Sequence, residues 1–166
     1  DLRMSRELGD VYKRQDYNCG NLKMTTAAEG GQVRFGEYAM ELDYDYASFN
    51  QASNSNFYIR YSGDRIKIEG SPTEIGVWIY APENTPGYAV YADIVCWSPN
   101  KEGVYDYRTK NYRLSHKNAD GKISDVIDWS GWMYCSADVS NLWQYQSEEH
   151  PLSIIPVSYT HLTLPT

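Results

Sequence analysis

Along the middle of this chain, hydrophobic and polar residues alternate at period two. In "YAMELDYDY", Met40, Leu42, Tyr44 and Tyr46 interleave with Ala39, Glu41, Asp43 and Asp45. That alternation predicts a half-buried antiparallel strand with an acidic outer face. "NFYIRYSGDRIKIEG" predicts a hairpin, with Phe57, Ile59 and Tyr61 on one arm, a turn at Ser62-Gly63-Asp64, and Ile66 and Ile68 on the other arm. "EIGVWIYAP" is apolar on both faces: Ile75, Val77 and Ile79 on one, Trp78 and Tyr80 on the other. Such a strand is either covered on both sides or lines a groove. "YAVYADIVCW" directs Val90, Ala92 and Ile94 inward and sets Tyr91, Asp93 and Trp97 on the outer side. "VYDYRTKNYRL" is a further strand, and "DWSGWMYCSADV" sets Trp132, Tyr134 and Ser136 opposite Met133, Cys135 and Ala137. "PLSIIP" begins a last strand, while "PENTPG" breaks the chain and "KNADGK" makes a turn. Residues 16–31 show no clear period and end in a Gly pair, which reads as a linker. No segment holds helical spacing over three turns. The expected fold is all-β, an antiparallel β-sandwich or jelly roll over residues 32–155 whose last strand is truncated.

The two ends obey a different logic. "DVYKRQ" at 10–15 and "VSYTHLTLPT" at 157–166 share no periodicity with the middle. Back-translation explains them, because TGTATAAGAGACA and TGTCTCTTATACA encode their centres and are reverse complements of one another. This element resembles the transposon end used in sequencing libraries, and Asp1 to Gly9 resembles translated index and adapter bases. Residues 1–15 and 156–166 are therefore expected to be adapter-derived tails that add nothing to the core, flanking a piece of a longer gene. One local exception is foreseen: Val157 to Leu162 is β-prone and suited to the gap left by the truncated strand.

Charge narrows the partners. The whole chain carries a net charge of −7. Residues 1–15 hold four Lys/Arg and three Asp/Glu, and 157–166 hold none, which leaves 11 basic and 19 acidic residues, a net of −8. An acidic surface repels phosphate backbones, so nucleic-acid binding is not expected. No apolar run reaches membrane-spanning length, so no membrane span is expected. Cys19, Cys96 and Cys135 lack metal-ligand spacing and read as buried or unpaired thiols, with Cys96 and Cys135 the pair to test for a disulfide.

Catalytic chemistry does not stand out. His116 lies in a polar stretch and His150 beside Pro151, neither near a nucleophile motif. Asp43 and Asp45, two apart on one strand, share a solvated face and do not make an acid–base pair. "NADGK" lacks the remaining ligands of a calcium loop. What the chain does offer is aromatic side chains: 14 of its 16 Tyr and all five Trp lie between the tails. Flat rings beside carboxylate, amide or guanidinium groups are what a sugar ring needs for recognition. Trp78, Tyr80, Tyr91, Asp93 and Trp97, with Tyr58 and Arg60 on the preceding strand, are therefore the candidate ligand-binding residues. The competing reading is that a second layer of structure covers these rings. Trp129 and Trp132 read as packing residues at a strand start.

Three stretches carry a resemblance: "VRFGEYAMELDYDY", "IKIEGSPTEIGVWIYAPENTPGYAVYADI" and "VIDWSGWMYCSADV". Together, over residues 33–139, they resemble the sandwich module appended to bacterial phosphodiester glycosidases. The matched positions are Gly36, Leu42, Asp43, Tyr44, Asp45, Pro72, Gly76, Trp78, Tyr80, Asp128, Trp129, Gly131 and Trp132. The resemblance implies a galactose-binding-like jelly roll downstream of a catalytic domain that cleaves sugar-1-phosphodiesters. It also implies a secreted or cell-surface location and a non-catalytic, accessory role in binding a polysaccharide or cell-wall glycan. The alternative is a purely structural spacer. Folds of this kind often hold a structural calcium near the last strand. With that strand truncated no complete calcium site is expected, and no other cofactor is implied. This chain differs from the family pattern in two loops, "APENTPG" and a longer Ser98 to Lys122 stretch.

Overall fold

The computed structural model describes residues 10–12, 20–44, 56–60, 66–83, 85 and 87–161. The strands are β1 (Asp10–Tyr12), β2 (Gly20–Thr26), β3 (Tyr38–Tyr44), β4 (Asn56–Arg60), β5 (Ile66–Lys67) and β6 (Glu74–Ala81). They continue as β7 (Ala89–Pro99), β8 (Tyr105–Arg113), β9 (His116–Lys117), β10 (Ile123–Ser124), β11 (Gly131–Asp138) and β12 (Ser153–His161). Only two short 3-10 helices interrupt them among the described residues, at Ala27–Glu29 and Ser140–Tyr145. Every described pairing is antiparallel, and the fold is all-β.

One large sheet runs in the order β1-β4-β12-β7-β8, with β5 also on β12. Three two-stranded ribbons accompany it: β2–β3, β6–β11 and β9–β10. A single bridge between Ser115 and Ser136 joins the β8–β9 corner to β11. The core sits between the large sheet and the β6–β11 ribbon. Ile94 and Cys96 of β7 meet Val139, Leu142 and Leu152, and Ile68, Ile75, Tyr112 and Tyr145 pack around them. The Ser140–Tyr145 helix closes this core from the side. Trp143 Nε1 donates to the Pro72 carbonyl at 2.7 Å, and the Tyr112 hydroxyl donates to Asn141 Oδ1 at 2.8 Å.

Three local expectations are revised. The arms of the "NFYIRYSGDRIKIEG" hairpin do not pair with each other: β4 and β5 lie one after the other along β12. A nine-residue β12 offers a partner edge long enough for both, so the two segments form one interrupted strand. The turn at Ser62-Gly63-Asp64, like Asp45, Tyr46 and Cys19, lies outside the described residues. The aperiodic 16–31 segment contains β2, which pairs with β3 along its whole length from Gly20↔Tyr44 to Thr26↔Tyr38. Val77, placed in the core by its alternation with Ile75 and Ile79, is 44% exposed, although Cys135 directly opposite it is buried. At the ends of the chain, β1 lines up on β4, and Val157–His161 takes the place foreseen for it, paired between β4 and β7. Other expectations match the structure. Cys96 and Cys135 are buried and unpaired. "KNADGK" is a turn in which Asn118 Oδ1 accepts from the amides of Asp120 and Lys122, with Gly121 at φ 77°.

Candidate functional site

The β6–β11 ribbon gathers aromatic residues on one face because both strands place them at the same parity. The register pairs Tyr80 with Trp132 and Trp78 with Tyr134, so four rings lie side by side. Tyr80 and Trp132 meet edge-on at 5.5 Å between centroids, and Trp78 and Tyr134 meet at 5.4 Å. Trp78, Tyr80 and Tyr134 are 38%, 37% and 39% exposed, so the rings pack against one another yet stay open to solvent. Gly76 makes room for this arrangement. A Cβ there would collide with the Tyr134 ring and hydroxyl, so the absence of a side chain lets that ring lie across the strand. The Tyr134 hydroxyl donates to Glu74 Oε1 at 2.8 Å, a bond that keeps it protonated and raises its pKa.

The β2–β3 connection completes the face. Thr26 and Glu29 cap each other across its first turn, with Glu29 Oε2 accepting from the Thr26 amide at 3.0 Å. Gly31 packs directly on the Thr25 side chain, where no Cβ fits. Beyond it the loop carries Arg34 and Phe35 over to β6. The Arg34 guanidinium lies 3.5 Å from the Trp78 ring centroid, and Phe35 meets the same indole edge-on at 6.3 Å.

The candidates on β7 lie elsewhere. Asp93 accepts from Asn111 Nδ2 at 2.8 Å, and burial pushes its carboxyl above the usual range. The Arg113 guanidinium sits 5.8 Å from the Tyr91 ring and is itself bound to Asp125 at 3.0 Å. Trp97 is capped: His150 stacks on it at 4.1 Å with planes 10° apart, and Tyr107 meets its edge at 4.9 Å. Tyr58 and Arg60 fall on β4, beyond β12 in the same sheet. The seven candidates therefore divide. Trp78 and Tyr80 share the ribbon face, while Tyr91, Asp93 and Trp97 belong to the outer side of the large sheet. Ile75 of β6 and Ile94 of β7 pack toward the same core, so the two outer faces look away from each other.

Three features escape a strand-by-strand reading. Trp132, whose place at a strand start suggests packing, is part of the open face. Arg34 has no period of its own to mark it. His116 lies in a polar stretch yet is buried, with Nε2 2.7 Å from Asp128 Oδ1 and its ring 4.5 Å from Trp129, which does pack inward. Cys135 lines the same small cavity as His116. Burial first, and the Asp128 carboxylate second, push its thiol up to about 11. At neutral pH that sulfur is a protonated thiol, the opposite of what a cysteine nucleophile requires. This cluster pins the β9 corner to the segment preceding β11. The described residues contain no group of three His, Cys, Asp or Glu side chains placed to hold a metal. No helix among them is long and apolar enough to cross a membrane. Comparison with family models, with curated proteins and with solved structures finds no match for this chain.

Proposed function

We propose that this chain is a non-catalytic carbohydrate-binding module of galactose-binding-like sandwich type, and that its site is the aromatic face of the β6–β11 ribbon. The observation that carries this reading is the set of four rings on one face, three of them more than a third exposed. Contiguous exposed aromatic surface marks interaction sites, and the apolar faces of pyranose rings are suited to cover it. The sequence resemblance extends the proposal to the parent protein: a secreted or cell-surface enzyme whose upstream catalytic domain acts on sugar phosphodiesters, with adapter-derived segments at the two ends of this piece. Because Arg34 lies over Trp78, the sugar is assigned to Tyr80, which is 37% exposed and meets Trp132 edge-on.

The test is retention of the intact chain on a panel of polysaccharides and cell-wall glycans, alongside Tyr80→Ala and Trp132→Ala variants whose unfolding is followed separately. Loss of retention in variants that unfold like the wild type supports the proposal. Unchanged retention in both variants rejects the ribbon face as the site. A second reading, a structural spacer, draws on Val77: its exposure on the opposite side of the same strand suits a ribbon buried by a neighbouring domain. A wild type that binds no glycan favours that reading.

A further inference from the structure

The aromatic face has one charged member, and its position constrains the ligand. Arg34 lies flat against Trp78 at 3.5 Å, and its guanidinium is also 5.1 Å from the Phe35 ring. Stacking engages the face of a guanidinium and leaves its N–H edge directed outward, held in place for a planar or tetrahedral oxyanion. Among the described residues no carboxylate forms an ion pair with Arg34. Two other cations are held by carboxylates: Lys23 pairs with Glu41 at 2.8 Å and Arg113 with Asp125 at 3.0 Å. Glu74, the acid beside Tyr134, already accepts that residue's hydroxyl. The chain has a net charge of −7, yet this arginine is fixed on the open ring face with no counter-charge among the described residues. Its place on the open rings, against Trp78 and Phe35, points to a ligand.

We propose that the ribbon face takes glycans whose sugars bear an oxyanion, and that Arg34 is the residue that binds it. This rests on the carbohydrate-binding reading and adds the ligand class to it. A neutral sugar approaching Trp78 must displace the guanidinium and forfeit its cation–π contact. An anionic sugar has no such conflict. Its pyranose stacks on Tyr80 and Trp132 while its charged substituent meets the outward edge of Arg34, which stays on the indole. The shared chemistry is a carboxylate, phosphate or sulfate carried on a sugar ring, and the experiment separates these three sources.

Retention of the intact chain is measured on matched pairs of polymers: polygalacturonate against its methyl ester, a phosphomannan against mannan, and dextran sulfate against dextran. The expected result is at least about tenfold tighter binding to the charged member of one pair, weakening as salt rises. The pair that discriminates identifies the oxyanion. Arg34→Ala should abolish the discrimination, and Arg34→Lys should restore only part of it, because an ammonium lacks the two-pronged edge. Equal binding to both members of every pair, or a preference that survives Arg34→Ala, overturns this inference and leaves carbohydrate binding standing. Failure of the wild type to bind any of the six polymers overturns both.

Discussion

Two strands of this protein carry aromatic residues on the side turned away from the core, and they end in different states. On β6 and its partner β11, Trp78, Tyr80, Trp132 and Tyr134 pack side by side, and all but Trp132 are more than a third exposed. On β7 and its partner β8, Trp97 and Tyr107 also lie opposite each other, but the segment leading into β12 folds back and lays His150 over the indole. Asp93 is likewise closed off by Asn111. Strand alternation creates an aromatic face in both places. Whether that face becomes a surface or a second packing layer depends on the segments packed over it. On the β7–β8 face His150 lies over Trp97 while Tyr107 stays 38% exposed, whereas on the ribbon face the Arg34–Phe35 loop lies against Trp78 and three rings stay more than a third exposed.

The comparison can be broken at several points. The largest effect is expected where the two regions share a core. Ile94→Ala leaves a cavity among Cys96, Val139, Leu142 and Leu152 and should cost about 2–5 kcal/mol in urea unfolding. Because both faces hang on that core, near-UV signals from the two should vanish in one transition, and two separated transitions would show that the ribbon is an independent unit.

Next come the two indoles. Trp97→Ala removes a ring stacked on one side and edged on another, and should cost about 2–3 kcal/mol. Trp78→Ala should cost under about 1 kcal/mol, since its ring is 38% exposed. The reverse order, measured by the same unfolding curves, would mean that the ribbon face is the packed one.

The inner side of the ribbon is probed by Cys135. Its folded-state thiol value, about 11, lies above the ordinary 9.0. Below pH 9 both folded and unfolded states hold the proton, and the stabilisation is fully present. Between about pH 9 and about pH 11 only the unfolded state releases it, so stability should fall across that window by on the order of 1–2 kcal/mol. Cys135→Ala should flatten the slope in that window, as read by thermal midpoints at a series of pH values. An unchanged slope would place the thiol in a wetter setting than the structure gives it. In the wild type near neutral pH, alkylation of this thiol should wait for unfolding.

The smallest effect is at Asp93. Burial disfavours its charged form, so Asp93→Asn should be neutral or stabilising by a few tenths of a kcal/mol near neutral pH, with glycan retention unchanged. Lost retention would put the ligand on the β7 face after all.

Much of the strand content was legible in the residues. The period-two runs at 75–80, 90–97 and 132–137 place each side chain on the side where the structure has it, because successive residues of an extended chain point in opposite directions. The same rule set Trp78 and Tyr80 on an outer face. The turn at Asn118–Gly121 was legible too, since an Asn side chain that accepts nearby amides and a Gly at positive φ act within a few residues. The rule failed at Val77, where apolar character implied a cover that the ribbon does not have. It also fell short at residues 20–26, where the alternation of Leu22 and Met24 with Asn21, Lys23 and Thr25 is too brief to stand out and β3 supplies the backbone partners.

By itself, then, the sequence determined local direction: which stretches extend, which residues share a side, and where the chain turns. Tertiary structure alone decided partnership. It paired β6 with β11 and brought Trp132 beside Tyr80, and it drew both β4 and β5 onto β12. It laid Arg34 on Trp78 and His150 on Trp97, and buried His116 against Asp128. The physical reason is that direction arises from backbone geometry between neighbouring residues. Contact between distant strands depends on which loop closures and buried surfaces give the lowest total free energy, a property of the whole chain that no window of residues contains.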